Sequence, residues 1–455
     1  MDPKPGGFPS TFWMANVTEL FERGAFYAMA SFVVLYLGQL GLGDYWPSTL
    51  NGTVLWTLVY FLPILSGTIA DQVGFKKSLL VAFVLLAAGY FLMGFPVWFG
   101  GATLAKTVES EVTAGANIVI PVVIAIVLIG LGGSVVKPCI SGTVQKTSGV
   151  RATLAFAIFY MVINIGSLCG RGVSYAVRKQ FDLSYIFAVS AGFAIVAFFV
   201  VLFLYRDPDR LPGAAEKKPR KSPGRILMDM VLVLRNLRFA LFLVVSSGFF
   251  FIYNQVYNVL PLYLKKVVEL DPPVDLITMA NPFTIVFFQL LITKLFGKWK
   301  PINSIVVGTV IIGLAMVINL VPIYYLGIRN MSLGTLLPLG SIFITLTVAL
   351  IAFGELFTSA RTYEYIGALA PKGQEGLFLG YANLPMAIGS FFGGPVGALI
   401  FNEVICRGAV KRPDGLLDPD PFWNTFGWLM LMGIGFVSAF SMWLYNRWLR
   451  KQQAA

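Results

Sequence analysis

The sequence predicts an all-α membrane protein of twelve transmembrane helices set out as two six-helix bundles. Three observations carry that prediction: composition, the recurrence of apolar stretches, and the placement of positive charge. Of 455 residues, 57% are hydrophobic and 12% charged, whereas a soluble domain is nearer to about a quarter charged. A hydrocarbon layer about 30 Å thick needs roughly 20 apolar residues per helical crossing. Stretches of that length recur from end to end between short polar loops, and none of the loops is long enough to form a separate soluble domain.

Crossings are expected at 12–38, 49–71, 77–99, 116–144, 152–175, 184–205, 234–264, 276–296, 301–325, 334–361, 375–401 and 422–446. An even number puts both ends on one side. With that side cytoplasmic, about 22 Lys/Arg fall in or beside inner loops against about 9 outside, as the positive-inside rule requires. The expected location is therefore a cell membrane, inner or plasma, with both termini cytoplasmic. The net charge of +12 is divided among many loops, so it reads as an orientation signal and not as a nucleic-acid footprint. Met1 to Thr11 shows neither the basic segment nor the small-residue site of a cleavable leader, and the first crossing is expected to be retained. The loop after the sixth crossing begins RDPDRLPGAAEKKPRKSPGR at Arg206. It reads as a basic cytoplasmic linker (206–233) lying on anionic headgroups. It separates an N-terminal bundle (1–205) from a C-terminal one (234–455), with no residue-level repeat between them.

Several function classes are disfavoured at once. There is no histidine, which removes histidine metal sites and histidine proton relays. Cys139, Cys169 and Cys406 are scattered without ligand spacing and read as packing residues, so no metal is expected. No loop presents a nucleophile beside a general base. No phosphate-binding glycine loop ends in Lys-Ser/Thr. Neither a membrane-embedded enzyme nor ATP-driven transport has support, and no cofactor is called for.

Ionisable residues within crossings cost about 2.5–3.5 kcal/mol each on insertion scales and are functional candidates by default. The first crossing carries Glu19, Glu22 and Arg23, followed by Phe26 and Tyr27. Offsets of 0, 3, 4, 7 and 8 place all five on one helical stripe. At about 1.5 Å per residue, Glu22 and Lys137 of the fourth crossing both lie ~13 Å from the inner edge, and Glu355 of the tenth ~9 Å. Three carboxylates and two cations thus share one layer. A static ion-pair network would stabilise only weakly, because desolvation offsets much of the attraction. Carboxylates beside cations at this depth can instead bind and release protons when a conformational change alters either influence. Tyr60, Asn164, Tyr253, Gln255, Tyr257, Asn258 and Asn281 converge on the layer from other crossings. Together they suit a polar cavity for a small zwitterion: a cation for its carboxylate, a carboxylate for its amine, aromatics for its side chains.

These residues also form a recognisable set of motifs. The first crossing reads Glu19-Leu20-Phe21-Glu22-Arg23-Gly24-Ala25-Phe26-Tyr27, and the second contains Tyr60, Pro63 and Gly67-Thr68-Ile69-Ala70-Asp71, then Gly74 and Lys76-Lys77. The fourth has Gly132-Gly133 and Lys137-Pro138, and the fifth Phe159-Tyr160-Met161-Val162-Ile163-Asn164-Ile165-Gly166-Ser167. Asn281-Pro282, Gly354-Glu355-Leu356 with Ser359, and Leu369-Ala370-Pro371 follow. In content and order this set resembles the proton-coupled oligopeptide transporters, a branch of the major facilitator superfamily. Their motifs are E-x-x-E-R-F-x-Y-Y in the first helix and F-Y-x-x-I-N-x-G-S in the fifth.

The resemblance implies the major facilitator fold and alternating access, with protons moving inward together with di- or tripeptides. It implies that Glu19, Glu22, Arg23 and Lys137 form the coupling network. Arg23 and Lys137 would face a peptide carboxylate, and Glu355 its amine or a gate. The substrate pocket would take in Phe26, Tyr27, Tyr60, Asn164, Tyr253, Gln255 and Asn281. Asp71, Lys76 and Lys77 would serve gating. The implied partners are a small peptide or peptide-like solute, protons and the bilayer, with one chain able to work alone. The chain departs from the family at Gly24, at Phe26 where a tyrosine is usual, at Ala360 where a proline is usual, and at Arg361. It also has Tyr381-Ala382-Asn383 near the place of a pocket tryptophan, and a linker too short for the two additional helices of many bacterial members. The coupling charges survive these changes, while cargo identity stays open. Another solute, such as an amino-acid conjugate or organic anion, and a non-transporting sensor of the same fold are the competing expectations.

Overall fold

The computed structural model describes residues 7–105, 113–148, 151–208, 223–327, 330–334, 337–369, 378 and 381–454. Among them are eleven helices long and apolar enough to span a membrane, or twelve when one bent pair counts as a single span. The bent pair is α1, Ser10–Ala30 with Val33–Gln39, its two parts 44° apart. The rest are α2 (Trp46–Ala70), α3 (Phe75–Trp98), α4 (Ala116–Ser148), α5 (Leu154–Gln180) and α6 (Tyr185–Leu204) in the first half of the chain. The second half has α7 (Leu237–Val268), α8 (Val274–Phe296), α9 (Pro301–Tyr324), α10 (Leu339–Ile366), α11 (Tyr381–Ile405) and α12 (Pro421–Gln452).

Two details differ from expectation. The chain is not wholly helical: β1 (Val410–Lys411) pairs antiparallel with β2 (Leu417–Asp418) in the α11–α12 loop. This loop lies outside the apolar spans, where a hairpin can leave its outer edges to solvent. The end of the expected linker is also structured, as a short helix over Pro223–Leu234. Residues 209–222, and with them most of the basic run, lie outside the described residues.

Within the spans, backbone groups freed by irregularities find partners, as they must in hydrocarbon. Pro138 in α4 has no N–H, so the Ser134 carbonyl one turn back lacks its helical donor. The Ser66 hydroxyl of α2 donates to it at 2.8 Å. This bond and the contact of Gly67 with the Pro138 ring tie two of the sequence motifs together. α7 tightens to a 3-10 turn over Asn254–Tyr257. There the Asn258 amide donates to the Asn254 carbonyl at 2.9 Å, and Asn254 donates to Ser390 of α11 at 3.0 Å.

The two halves meet along a seam. Gly52 of α2 packs against Gly394 of α11 so closely that a Cβ on Gly52 would stand 2.7 Å from the Gly394 backbone. Among the described residues, the polar contacts across the seam gather toward the end that carries the α1–α2 loop. Ser31 meets Thr278 at 3.0 Å, Arg178 meets Asp271 at 2.6 Å and Asp275 at 3.4 Å, and Lys266 meets Asp44 at 2.6 Å. Tyr45 donates to Glu403, and Asn51 donates to the Tyr257 carbonyl at 3.2 Å. This end of the molecule is shut.

Candidate functional site

The charge stripe of α1 is buried, with Glu19 and Glu22 fully enclosed and Arg23 4% exposed. Helical spacing brings both carboxylates to one nitrogen. Arg23 Nε contacts the Glu22 carboxylate directly and lies 3.4 Å from Glu19 Oε1. Its guanidinium also stands 5.4 Å from the Phe26 ring centre and 6.0 Å from that of Tyr27. Lys137, presented by the α4 segment that Ser66 braces, sits 5.5 Å from the Tyr60 ring. It is within electrostatic reach of Glu19 in α1 and of Glu355 in α10.

Glu355 is held by the residues that the sequence grouped with it. The Asn281 amide of α8 donates to Oε2 at 3.2 Å, and Ser359 donates to Oε1 at 3.4 Å. The Tyr253 ring of α7 lies 6.3 Å from that of Tyr257. Asn164 donates to its own-helix Tyr160 carbonyl at 2.9 Å, and Tyr160, 37% exposed, is electrostatically coupled to Glu355. Gln255 stands apart: its amide donates to the Phe251 and Gly393 carbonyls, seating it against α11 and not among the charges. Of the gating candidates, Lys76 donates from its backbone to Asp207 at 3.4 Å and from its ammonium to the Leu202 carbonyl at 2.9 Å. This docks the α2–α3 turn, where Gly74 has φ +103, on the end of α6. Lys77 is exposed, and the Asp71 side chain lies outside the described residues.

The departures have local reasons. At Gly24 the space of a larger side chain is filled by the Phe193 ring, and Gly170 of α5 approaches so closely that its Cβ would stand 2.3 Å from the Gly24 carbonyl oxygen. Arg361 caps α8 by donating to the Phe296 carbonyl at 3.2 Å, a favourable place for a cation. Tyr381 packs edge-on to Phe239 at 5.8 Å. Asn383 accepts from Tyr363 at 3.0 Å.

Two residues in the site escaped the sequence reading. Trp56 of α2 is buried and joins the halves through rings. It lies 5.7 Å from Phe26, 5.6 Å from Tyr60 and 4.6 Å from Tyr257 across the seam. Its register among other apolar residues gave no signal. Arg171 of α5 is 1% exposed, and the rule that found Arg23 and Lys137, an ionisable group inside a crossing, applies to it equally. At the shut end, Arg178 pairs with Asp271 and Asp275, and Glu269 lies near them. Burial raises the Glu269 carboxyl above its usual range, opposed chiefly by the Ser341 hydroxyl that donates to it at 2.5 Å.

Chemically, the arrangement offers buried carboxylates, cations beside them and aromatic rings against those cations. The Major Facilitator Superfamily model matches residues 13–328. The chain is 24% identical to dipeptide and tripeptide permease B of Shigella dysenteriae serotype 1, over 98% of this chain and 97% of that one. It is 22% identical to the permease of the same name from Photorhabdus asymbiotica, over 98% of each. In three dimensions it is similar to the peptide transporter POT in complex with sulfate, with a TM-score of 0.74, 18% identity and coverage of 98% and 96%. It is similar also to a POT family transporter in complex with 5-aminolevulinic acid, with a TM-score of 0.73, 18% identity and coverage of 97% and 98%. With eleven to twelve spans among the described residues and the match over most of its length, the chain belongs to the major facilitator superfamily, a family of membrane transporters.

Proposed function

We propose that the protein is a proton-coupled symporter that carries di- or tripeptides, or peptide-like small solutes, into the cell by alternating access. One observation carries the reading: buried carboxylates stand in both halves of the chain, Glu19 and Glu22 against Arg23 in the first and Glu355 against Asn281 in the second. Movement of one half against the other changes the surroundings of these groups, and with them their proton affinity. Glu19, Glu22, Arg23 and Lys137 are the coupling network. Glu355, steadied by Asn281 and Ser359, receives the substrate amine. Tyr27, Tyr60, Tyr253, Asn164 and Phe26 line the path, and the Gly74–Lys77 turn with Asp71 gates the inner side. The bundles 1–205 and 234–455 rock about the seam, and the shut end faces away from the cytoplasm, where both termini lie. The unit works as a monomer in the inner or plasma membrane, driven by the proton gradient without a cofactor.

A second reading, another small zwitterion as cargo, has support in Phe26, which lacks a hydroxyl where the family has one, and in the relative that binds 5-aminolevulinic acid. Proteoliposomes under an inward proton gradient test the first reading, with labelled dialanine and trialanine offered to wild type and Glu22→Gln. Gradient-driven uptake that collapses in the variant while counterflow persists supports it. Folded wild-type protein that moves neither peptide refutes peptide transport.

A further inference from the structure

Arg171 is the central cation with no role in this scheme. Its guanidinium is enclosed by neutral groups. Nε donates to Thr278 Oγ1 at 3.1 Å, Nη2 to the Tyr257 hydroxyl at 3.2 Å, and Nη1 to the Ser167 hydroxyl, with the Tyr27 ring centre 4.6 Å away. Among the described residues no carboxylate lies within 4 Å of it. A buried guanidinium is ordinarily matched by an anion, because an enclosed charge without a counter-charge is costly. Arg23, by contrast, is already engaged by Glu22 and Glu19. The cation best placed to accept a carboxylate from outside is therefore not the one that the motif suggests.

Its partners divide in a telling way. Ser167 is on the same helix and stays with Arg171 in any state. Thr278 and Tyr257 belong to the second half of the chain and lie at the shut end of the seam. We infer that Arg171 is a carboxylate-binding residue of the outward-open state. When the seam opens, Thr278 and Tyr257 withdraw, and the planar guanidinium takes the carboxylate of the incoming zwitterion. When it closes, the two hydroxyls return to the guanidinium and the carboxylate is let go toward Lys137. A planar fork suits a carboxylate bidentately, as an ammonium does not. Charge supports the assignment: Arg23, Lys137 and Arg171 together balance Glu19, Glu22 and Glu355 along the path. The path then accepts a zwitterion without net charge.

This inference rests on the transport reading, and counterflow separates the two. Labelled dialanine is exchanged in proteoliposomes against unlabelled dialanine or dialaninamide, whose carboxylate is blocked, in wild type, Arg171→Gln and Arg171→Lys. Wild type should favour the acid by about tenfold or more, the worth of a charge-assisted bond. In Arg171→Gln that preference should collapse through weaker competition by the acid alone, and Arg171→Lys should restore part of it. A wild-type preference kept intact in Arg171→Gln overturns the inference and leaves the transport reading standing. Wild type that exchanges no dialanine overturns both. If Arg171→Gln does not fold, Tyr257→Phe decides. Freed of one closed-state partner, Arg171 should bind dialanine more tightly while dialaninamide is unaffected, and equal changes for both overturn it.

Discussion

The Asn281 amide lies 3.2 Å from Glu355 Oε2, so α8 orients the carboxylate that α10 supplies. Asn281→Ala leaves Ser359 as the hydroxyl donor to that group. Proton-driven uptake is expected to fall about tenfold, the scale of a hydrogen bond to a charged group, with Glu355→Gln lower still. Initial rates at a fixed gradient measure both. Equal rates in wild type and Asn281→Ala would remove Asn281 from the site.

Arg23 offsets two enclosed carboxylates, and its removal leaves them facing one another. Arg23→Gln should destabilise the protein by about 3–5 kcal/mol, as for a broken buried pair. Thermal unfolding in detergent reads this directly. Adding Glu22→Gln should recover much of the loss, whereas additive losses in the double variant would show that the three residues do not act as a unit.

Arg178 holds α5 to the start of α8 through Asp271 and Asp275. Arg178→Gln should shift the population toward outward-open, seen as faster labelling of a cysteine placed in the seam. Because burial raises the Glu269 carboxyl, it takes up a proton at a higher pH than an exposed glutamate. As pH falls at the shut end, a negative charge near Arg178 is lost and that end loosens. Labelling should therefore speed up with acidification in wild type, and this pH dependence should flatten in Glu269→Gln.

Ser66 replaces the donor that Pro138 lacks, by bonding to the Ser134 carbonyl. Ser66→Ala should cost about 1–3 kcal/mol, the penalty for an unsatisfied buried acceptor. Because Lys137 adjoins the braced segment, transport should fall as well. Ser66→Thr keeps the hydroxyl and should keep both stability and uptake.

Much of the site could be read before the fold was seen, because charges in hydrocarbon are few and conspicuous. Glu19, Glu22 and Arg23 were placed on one stripe by helical spacing, and the structure brings both carboxylates to one guanidinium nitrogen. Asn281 and Glu355 were grouped by depth and by motif, but their bond across 74 positions is a product of packing. Arg171 was passed over although the same rule covered it. Trp56 could not have been found, since an aromatic ring in an apolar helix gives no sign of which neighbour it meets.

The sequence by itself determined the solvent and the architecture. Apolar length sets the number of spans, and the backbone's need for internal hydrogen bonds in lipid makes each span a helix. What only the tertiary structure decided is which charges find partners and which end is closed. Both depend on contacts between helices far apart in the chain: Arg23 is satisfied within α1, while Arg171 must reach across the seam to Thr278 and Tyr257. Local periodicity fixes the face on which a side chain stands, but the partner opposite that face comes from packing.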